Sequence, residues 1–149
     1  MSDVADLQAK ILRGIPMSDA MGYRITDLDA TTITVEAPLA PNVNVHGTGF
    51  AGSLYALGIL TAWALSAHLI ARAGLDAELV VAAATIRYSR PVREDIRCRC
   101  AVDVDAAHAF TEHLAGAGRA RLALEVRVGD GPAAVIEAQM HARLAEPPP

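Results

Sequence analysis

From Gly49 to Ala71 the chain runs 23 residues without an Asp, Glu, Lys or Arg. That length of apolar chain can cross a bilayer. A helix apolar on all sides can also lie inside a globular protein. Ser53, Thr61, Ser66 and His68 and the glycines at 49, 52 and 58 interrupt the segment. The rest of the chain supplies amphipathic strands that need something apolar to cover. The segment is therefore expected to be a buried helix from about Phe50 to Ala73, closed by Gly74, with no membrane involved.

The flanking sequence sets what surrounds that helix. Residues 3–13 read as a short amphipathic helix with Val4, Leu7, Ile11 and Leu12 on one side. Residues 16–22 read as one further helical turn. Short strands are expected at 25–29 and 32–39, and four more at 79–90, 96–104, 120–128 and 134–144. In the third of these six, apolar continuity gives way to alternation. In the fourth, Ile96, Cys98, Cys100, Val102 and Val104 share a face, opposite Arg97, Arg99 and Asp103. Amphipathic strands and one long helix are satisfied by an antiparallel sheet curled around the helix. This is an α+β chain with the hot-dog arrangement, expected as one domain over 1–149 with a frayed tail at 145–149. A curled sheet has open edges, and edge-to-edge association into a homodimer or dimer of dimers is the expected way to close them.

The formal net charge is -4, so no global basic field exists to hold nucleic acid. The basic residues are nonetheless uneven. Five of the 13 fall between Arg87 and Arg99, and all five are arginine. Such a run is usually a solvated face, but Arg87, Arg90 and Arg93 are also candidates to dock a phosphate-bearing or acidic carrier. The two cysteines, Cys98 and Cys100, are neighbours on one strand face and read as small core residues. They form neither a disulfide framework nor a metal pair, so no metal is expected. The first ten residues carry Asp3 and Asp6 and lack an apolar core, which points to the cytoplasm rather than export.

The chemistry concentrates in Asn44-Val45-His46-Gly47-Thr48-Gly49-Phe50-Ala51-Gly52-Ser53-Leu54, the loop that enters the long helix. Glycines at 47, 49 and 52 let backbone approach a ligand. A helix start presents unpaired N–H groups and the positive end of the dipole. Together they suit a developing oxyanion. Asn44 and Gly52 are the candidate oxyanion donors, and Ser53 is either a cap or a substrate contact. His46 is a weak candidate base; a loop histidine is more often solvated. Phe50, Tyr55, Ile59, Thr61 and Trp63 are candidate pocket walls, with ordinary core packing as the plain alternative.

The spacing resembles that of phenylacetyl-CoA-type hot-dog thioesterases, which carry Asn-x-x-x-x-x-His-Gly-Gly and then Leu-Ala-Asp. Asn44 falls on the asparagine, Phe50-Ala51-Gly52 on His-Gly-Gly, and Leu57-Gly58-Ile59 on Leu-Ala-Asp. Ile59 therefore stands where those enzymes have a catalytic aspartate. The runs Ala37-Pro38-Leu39-Ala40-Pro41-Asn42, Gly47 to Leu57 with Trp63, and Ile86-Arg87-Tyr88-Ser89-Arg90-Pro91-Val92 resemble the YiiD C-terminal thioesterase family more closely, from about Ile15 to Leu144. That family includes malonyl-acyl-carrier-protein decarboxylases of the Mad type. The resemblance implies an acyl-thioester enzyme whose substrate is carried by acyl carrier protein or coenzyme A, with no cofactor of its own.

The missing aspartate has a physical reading. No Asp or Glu occurs from Ala37 to Leu75. Hydrolysis of a thioester normally draws on a carboxylate to activate water or attack directly. Decarboxylation of a malonyl thioester needs its oxygen held as an enolate and its carboxylate poorly solvated. An enzyme carboxylate 4 Å away would oppose the substrate's by about 4 kcal/mol at an effective dielectric near 20. The resemblance implies decarboxylation of malonyl-ACP or malonyl-CoA to the acetyl thioester, starting fatty acid synthesis, and the missing carboxylate favours that over hydrolysis. A thioesterase and a non-catalytic acyl-thioester binding module are the alternatives.

Overall fold

Strict alternation of burial through the middle strands fixes one face of a sheet as the wall of the core. In a computed structural model, which describes residues 3–145, the elements run α1 (Asp3–Gly14), α2 (Met17–Met21), β1 (Arg24–Leu28), β2 (Thr32–Ala37), a single 3-10 turn (Ala40–Asn42), α3 (Ala51–Arg72), β3 (Ala77–Tyr88), β4 (Ile96–Ala101), α4 (Val104–Ala117), β5 (Arg119–Val128) and β6 (Ala134–Leu144). The six strands form one antiparallel sheet in the order β1-β2-β4-β5-β6-β3. Every second residue of β5, from Ala120 to Val128, is buried, and β4 does the same with Ile96, Cys98 and Cys100.

The apolar segment forms α3 and fills the inside of the curl. Leu57 and Leu65 are fully buried, as are Ala62 and Ala64. By length and composition α3 could cross a membrane, but 72% of its most apolar stretch is buried in the protein. Gly58 lets α3 pack tightly on β6: a Cβ there would run into Ile136 Cδ1. α1 closes the open side through Leu7 and Ile11.

Two expectations are corrected. The strand expected at 96–104 ends at Ala101, and Val104, 66% exposed, begins α4. The alternation of Val102 with Val104 imitates a strand, but Ala107, Phe110 and Leu114 are the buried positions, with helical spacing. A second helix of 14 residues therefore exists beside the single long one expected. The expected tail lies, beyond Ala145, outside the described residues.

The edge strands differ. β3 is 12 residues long, pairs only with β6, and has no fully buried residue. Leu79, Val81, Ala84 and Ile86 are half-buried along its inner face, and Val80 is exposed.

Candidate functional site

The start of α3 is an uncapped helix end. Phe50, the N-cap, has extended backbone and no side-chain hydrogen bond closes the terminus. The Phe50 N–H donates to the Asn42 carbonyl (2.7 Å), and the Leu54 N–H donates to the Phe50 carbonyl (3.0 Å). The amides of Ala51, Gly52 and Ser53 have no partner among the described residues. They are the orphan donors of a 22-residue helix, aligned with the positive end of its dipole. The Tyr88 hydroxyl, from the end of β3, donates to the Ala51 carbonyl (2.8 Å) and ties the helix start to the sheet edge. The Phe50 ring lies over Gly52, in the space a Cβ there would need.

Two asparagines build the entry loop. Asn42 is 1% exposed; its Nδ2 donates to the Met21 carbonyl (2.8 Å) and the Pro38 carbonyl (2.9 Å), while its Oδ1 is buried without a partner. Asn44 organises the next turn. Its Oδ1 accepts the His46 N–H (2.9 Å) and the Thr48 N–H (3.1 Å), and its Nδ2 donates to Thr48 Oγ1 (2.9 Å) and the Gly49 carbonyl (3.4 Å). Gly47, at φ 78, permits the reversal there. Behind the loop, the Gly49 N–H donates to the Val92 carbonyl (2.8 Å). The Asn44 amide is thus engaged inside its own loop. This differs from the expectation that it faces an oxyanion; the unengaged donors are the three helix amides.

The other expected residues divide. Phe50, the N-cap, and Gly52 are exposed, and Ser53, Tyr55, Ile59 and Trp63 are half-buried on the part of α3 that the core leaves open. The Trp63 Nε1 donates to the Leu79 carbonyl (3.0 Å), so the indole fixes the helix to β3. Thr61 is corrected: it is fully buried on the opposite side, its hydroxyl donating to the Leu57 carbonyl (2.7 Å). It cannot line a pocket on the open stripe. Near it lie the Tyr23 phenol and the Cys98 thiol, both pushed up by burial, the thiol to about 12. His46 is exposed near the tip of the loop, next to Val45, which is 95% exposed. The arginines also separate: Arg90 and Arg93 line a cleft of about 1150 Å³ beyond Val92, whereas Arg87 stands apart from it on the outer face of β3. That cleft is not the helix start; Glu36, Glu94, Asp95 and Asp130 stand among its arginines, beside Leu39, Pro91 and Val92, and Leu39 and Val92 join it to the entry loop through their carbonyls.

Asn42, Tyr88 and Val92 were not singled out from sequence as site residues. Asn42 gives no signal, because any turn asparagine looks alike. Tyr88 and Val92 lie within the family-like run 86–92, but only the fold brings them to the helix start. Among the described residues no carboxylate lies on α3 or in the loop from Leu39 to Phe50, and no group of three potential metal ligands is assembled. The arrangement can hold an oxyanion beside an apolar wall without a neighbouring negative charge.

Comparison with known proteins agrees with this architecture. The family model described as "Putative thioesterase (yiiD_Cterm)" matches residues 4–140. A protein of unknown function from Chlorobaculum tepidum superposes with a TM-score of 0.91 at 25% identity, covering 95% of this chain and 94% of its own. A protein from Shewanella oneidensis described as a putative thioesterase gives 0.80 at 26% identity, covering 95% and 97%. A "Probable Thioesterase" from Pseudomonas aeruginosa gives 0.79 at 23% identity, covering 97% of each chain, and shows the fold.

Proposed function

The chain belongs to the YiiD C-terminal family of putative thioesterases, and from that premise we propose that it is an enzyme that decarboxylates a malonyl thioester. The bond between Cα and the carboxylate breaks, its electron pair passes into the thioester as an enolate, and CO2 leaves. The Gly52 amide, with those of Ala51 and Ser53, holds the enolate oxygen. Cα then takes a proton from solvent, giving the acetyl thioester. Phe50, Tyr55, Ile59 and Trp63 form the apolar wall against which the substrate carboxylate is poorly solvated. Asn44 holds the loop that sets the helix start.

The observation that carries this reading is three unpartnered amides on an uncapped apolar helix with no carboxylate on it. Hydrolysis is the second reading, favoured by the family's description. Incubation with malonyl-CoA and malonyl-acyl carrier protein, followed by mass spectrometry, separates the readings. Acetyl thioester means decarboxylation. Free carrier thiol means hydrolysis. Ligand-induced stabilisation without turnover means a binding module.

The working unit in this proposal is a homodimer joined through β3, a 12-residue edge with half-buried inner side chains and an exposed valine. Light scattering is expected to give twice the 15.6 kDa chain mass. A monomer at micromolar concentration refutes the dimer.

A further inference from the structure

Tyr88 reaches the helix start through an irregularity of its own strand. Counting in twos along β3 from Leu79 and Val81 would turn Ala83, Thr85 and Arg87 inward and Tyr88 outward. The ladder with β6 breaks that count. Val81 stands opposite Met140 and Ala83 opposite Gln139, so Ala82 is an extra residue, a β-bulge. A slip of one residue moves every later side chain to the other face. Ala84, Ile86 and Tyr88 therefore stand opposite Ala138, Ile136 and Ala134, which are buried, and Arg87 is left on the outer face. The strand end is then pinned, because the Ser89 and Arg90 N–H groups both donate to the Ala133 carbonyl (2.8 and 3.3 Å).

So placed, the Tyr88 hydroxyl donates to the Ala51 carbonyl (2.8 Å). That carbonyl already accepts the Tyr55 N–H as the first turn of α3 closes. A carbonyl oxygen has a second lone pair, which the phenol takes. Thr61 and Ser66 bond carbonyls of α3 from within the helix, whereas Tyr88 reaches in from another element. The Ala51 carbonyl and the Gly52 N–H are the two ends of one planar peptide unit. A proton donated to the oxygen end draws electron density from the nitrogen end, and bonds in such a chain strengthen one another by roughly 10–30% each. Burial, and then the neighbouring Tyr55 phenol, hold the Tyr88 hydroxyl above the usual tyrosine value, so it keeps the proton that it donates.

We infer that Tyr88 is a positioning residue for the reaction: its hydroxyl aligns and polarises the Ala51–Gly52 peptide and makes the Gly52 amide a stronger donor to the oxyanion. It acts through that peptide and not on the substrate. Its effect grows with the negative charge on the bound oxygen, so it belongs to the transition state more than to the bound substrate. The inference rests on the reading of the Gly52 amide as an oxyanion donor, and it holds for an enolate and for the tetrahedral oxyanion of hydrolysis alike.

The test is steady-state kinetics on malonyl-CoA and malonyl-acyl carrier protein, with products read by mass spectrometry and melting temperatures taken in parallel. Tyr88→Phe keeps the ring and removes the donor. Its kcat should fall by about tenfold, the scale of one hydrogen bond, at an unchanged KM. Tyr88→difluorotyrosine keeps the donor and makes it more acidic. Its kcat should match or exceed wild type while the phenol is protonated. It should then fall as pH rises through the ionisation that fluorine NMR reports, because the phenolate donates nothing and sets a negative charge beside the oxyanion. Wild type should stay flat over that range. A flat profile in the fluorinated protein overturns the inference. Wild-type kcat in Tyr88→Phe, with acetyl thioester still formed, overturns the role of Tyr88 and leaves the decarboxylation reading standing. A lower melting temperature and a higher KM at constant kcat make the hydroxyl a tether only, and overturn the role as well. The loss of kcat with free carrier thiol as the product supports the role and refutes decarboxylation. Wild type that turns over neither thioester overturns both.

Discussion

Replacing Asn42 tests how the entry loop sets the helix start. Its side chain satisfies two carbonyls, Met21 at 2.8 Å and Pro38 at 2.9 Å, and its own carbonyl receives the Phe50 amide that begins α3. Asn42→Ala removes both donations. Leaving a buried acceptor unsatisfied costs about 1–3 kcal/mol. The Met21 bond is buried and takes that cost in full, while the Pro38 bond is partly open to water. The unpaired Oδ1 is deleted as well, which returns part of the loss. The net expectation is roughly 2–3 kcal/mol, or roughly 4–12 °C in melting temperature for a chain of this size. Urea unfolding gives the first number and calorimetry the second. Asn42→Asp sharpens the test. A carboxylate there would face two carbonyl oxygens with no donor, so its folded pKa is expected to lie above the unfolded value. A group raised in this way favours the fold while protonated and loses that contribution as pH rises through the folded value. The deficit of Asn42→Asp against wild type should therefore shrink from pH 7 to pH 4. An Asn42→Ala protein within 0.5 kcal/mol of wild type (about the scale of an ordinary surface change) refutes the reasoning.

Three other outcomes are expected. Ala51→Pro deletes one helix amide where the preceding residue is already extended, so it should fold normally. The Ala51 amide shares in holding the oxyanion in this proposal, so kcat should fall by about 10²–10³. A wild-type kcat in Ala51→Pro, checked by steady-state kinetics, refutes the oxyanion role of that amide. Cys98 and Cys100, each pushed to about 12 by burial, should resist an aromatic disulfide reagent at pH 8 until the protein is unfolded. His68 is 5% exposed and its Nε2 meets the Asp29 carbonyl at 3.0 Å, with burial holding its pKa below the usual histidine value. A base lowered by folding contributes stability above its unfolded pKa and loses it as pH falls through the folded one. Wild type should therefore lose more melting temperature than His68→Gln below about pH 6.5; parallel pH profiles refute this.

Periodicity alone was sufficient for most of the architecture. The charge-free run could be nothing but a core or membrane helix, and the two-residue alternation at 120–128 and 134–144 could bury only one face. β6 spans the expected residues, and β5 begins one residue early. Local signals failed at α4, because Val102 and Val104 keep a strand's rhythm for two residues past the true end of β4. There the helical period of Ala107, Phe110 and Leu114 takes over. The helix start was legible as a glycine-rich entry to an apolar helix, so Gly52, Ser53, Tyr55, Ile59 and Trp63 could be named from sequence. Which of its asparagines is buried, and that Thr61 turns inward, could not. Asn42 and Asn44 are two residues apart with the same local chemistry, and only the carbonyls of Met21 and Pro38, brought there by the fold, tell them apart. The inward turn of Tyr88 past the bulge at Ala82 is likewise a fact of strand register. Sequence sets the period of each strand, but the partner across the ladder is chosen by how the strands pair in three dimensions.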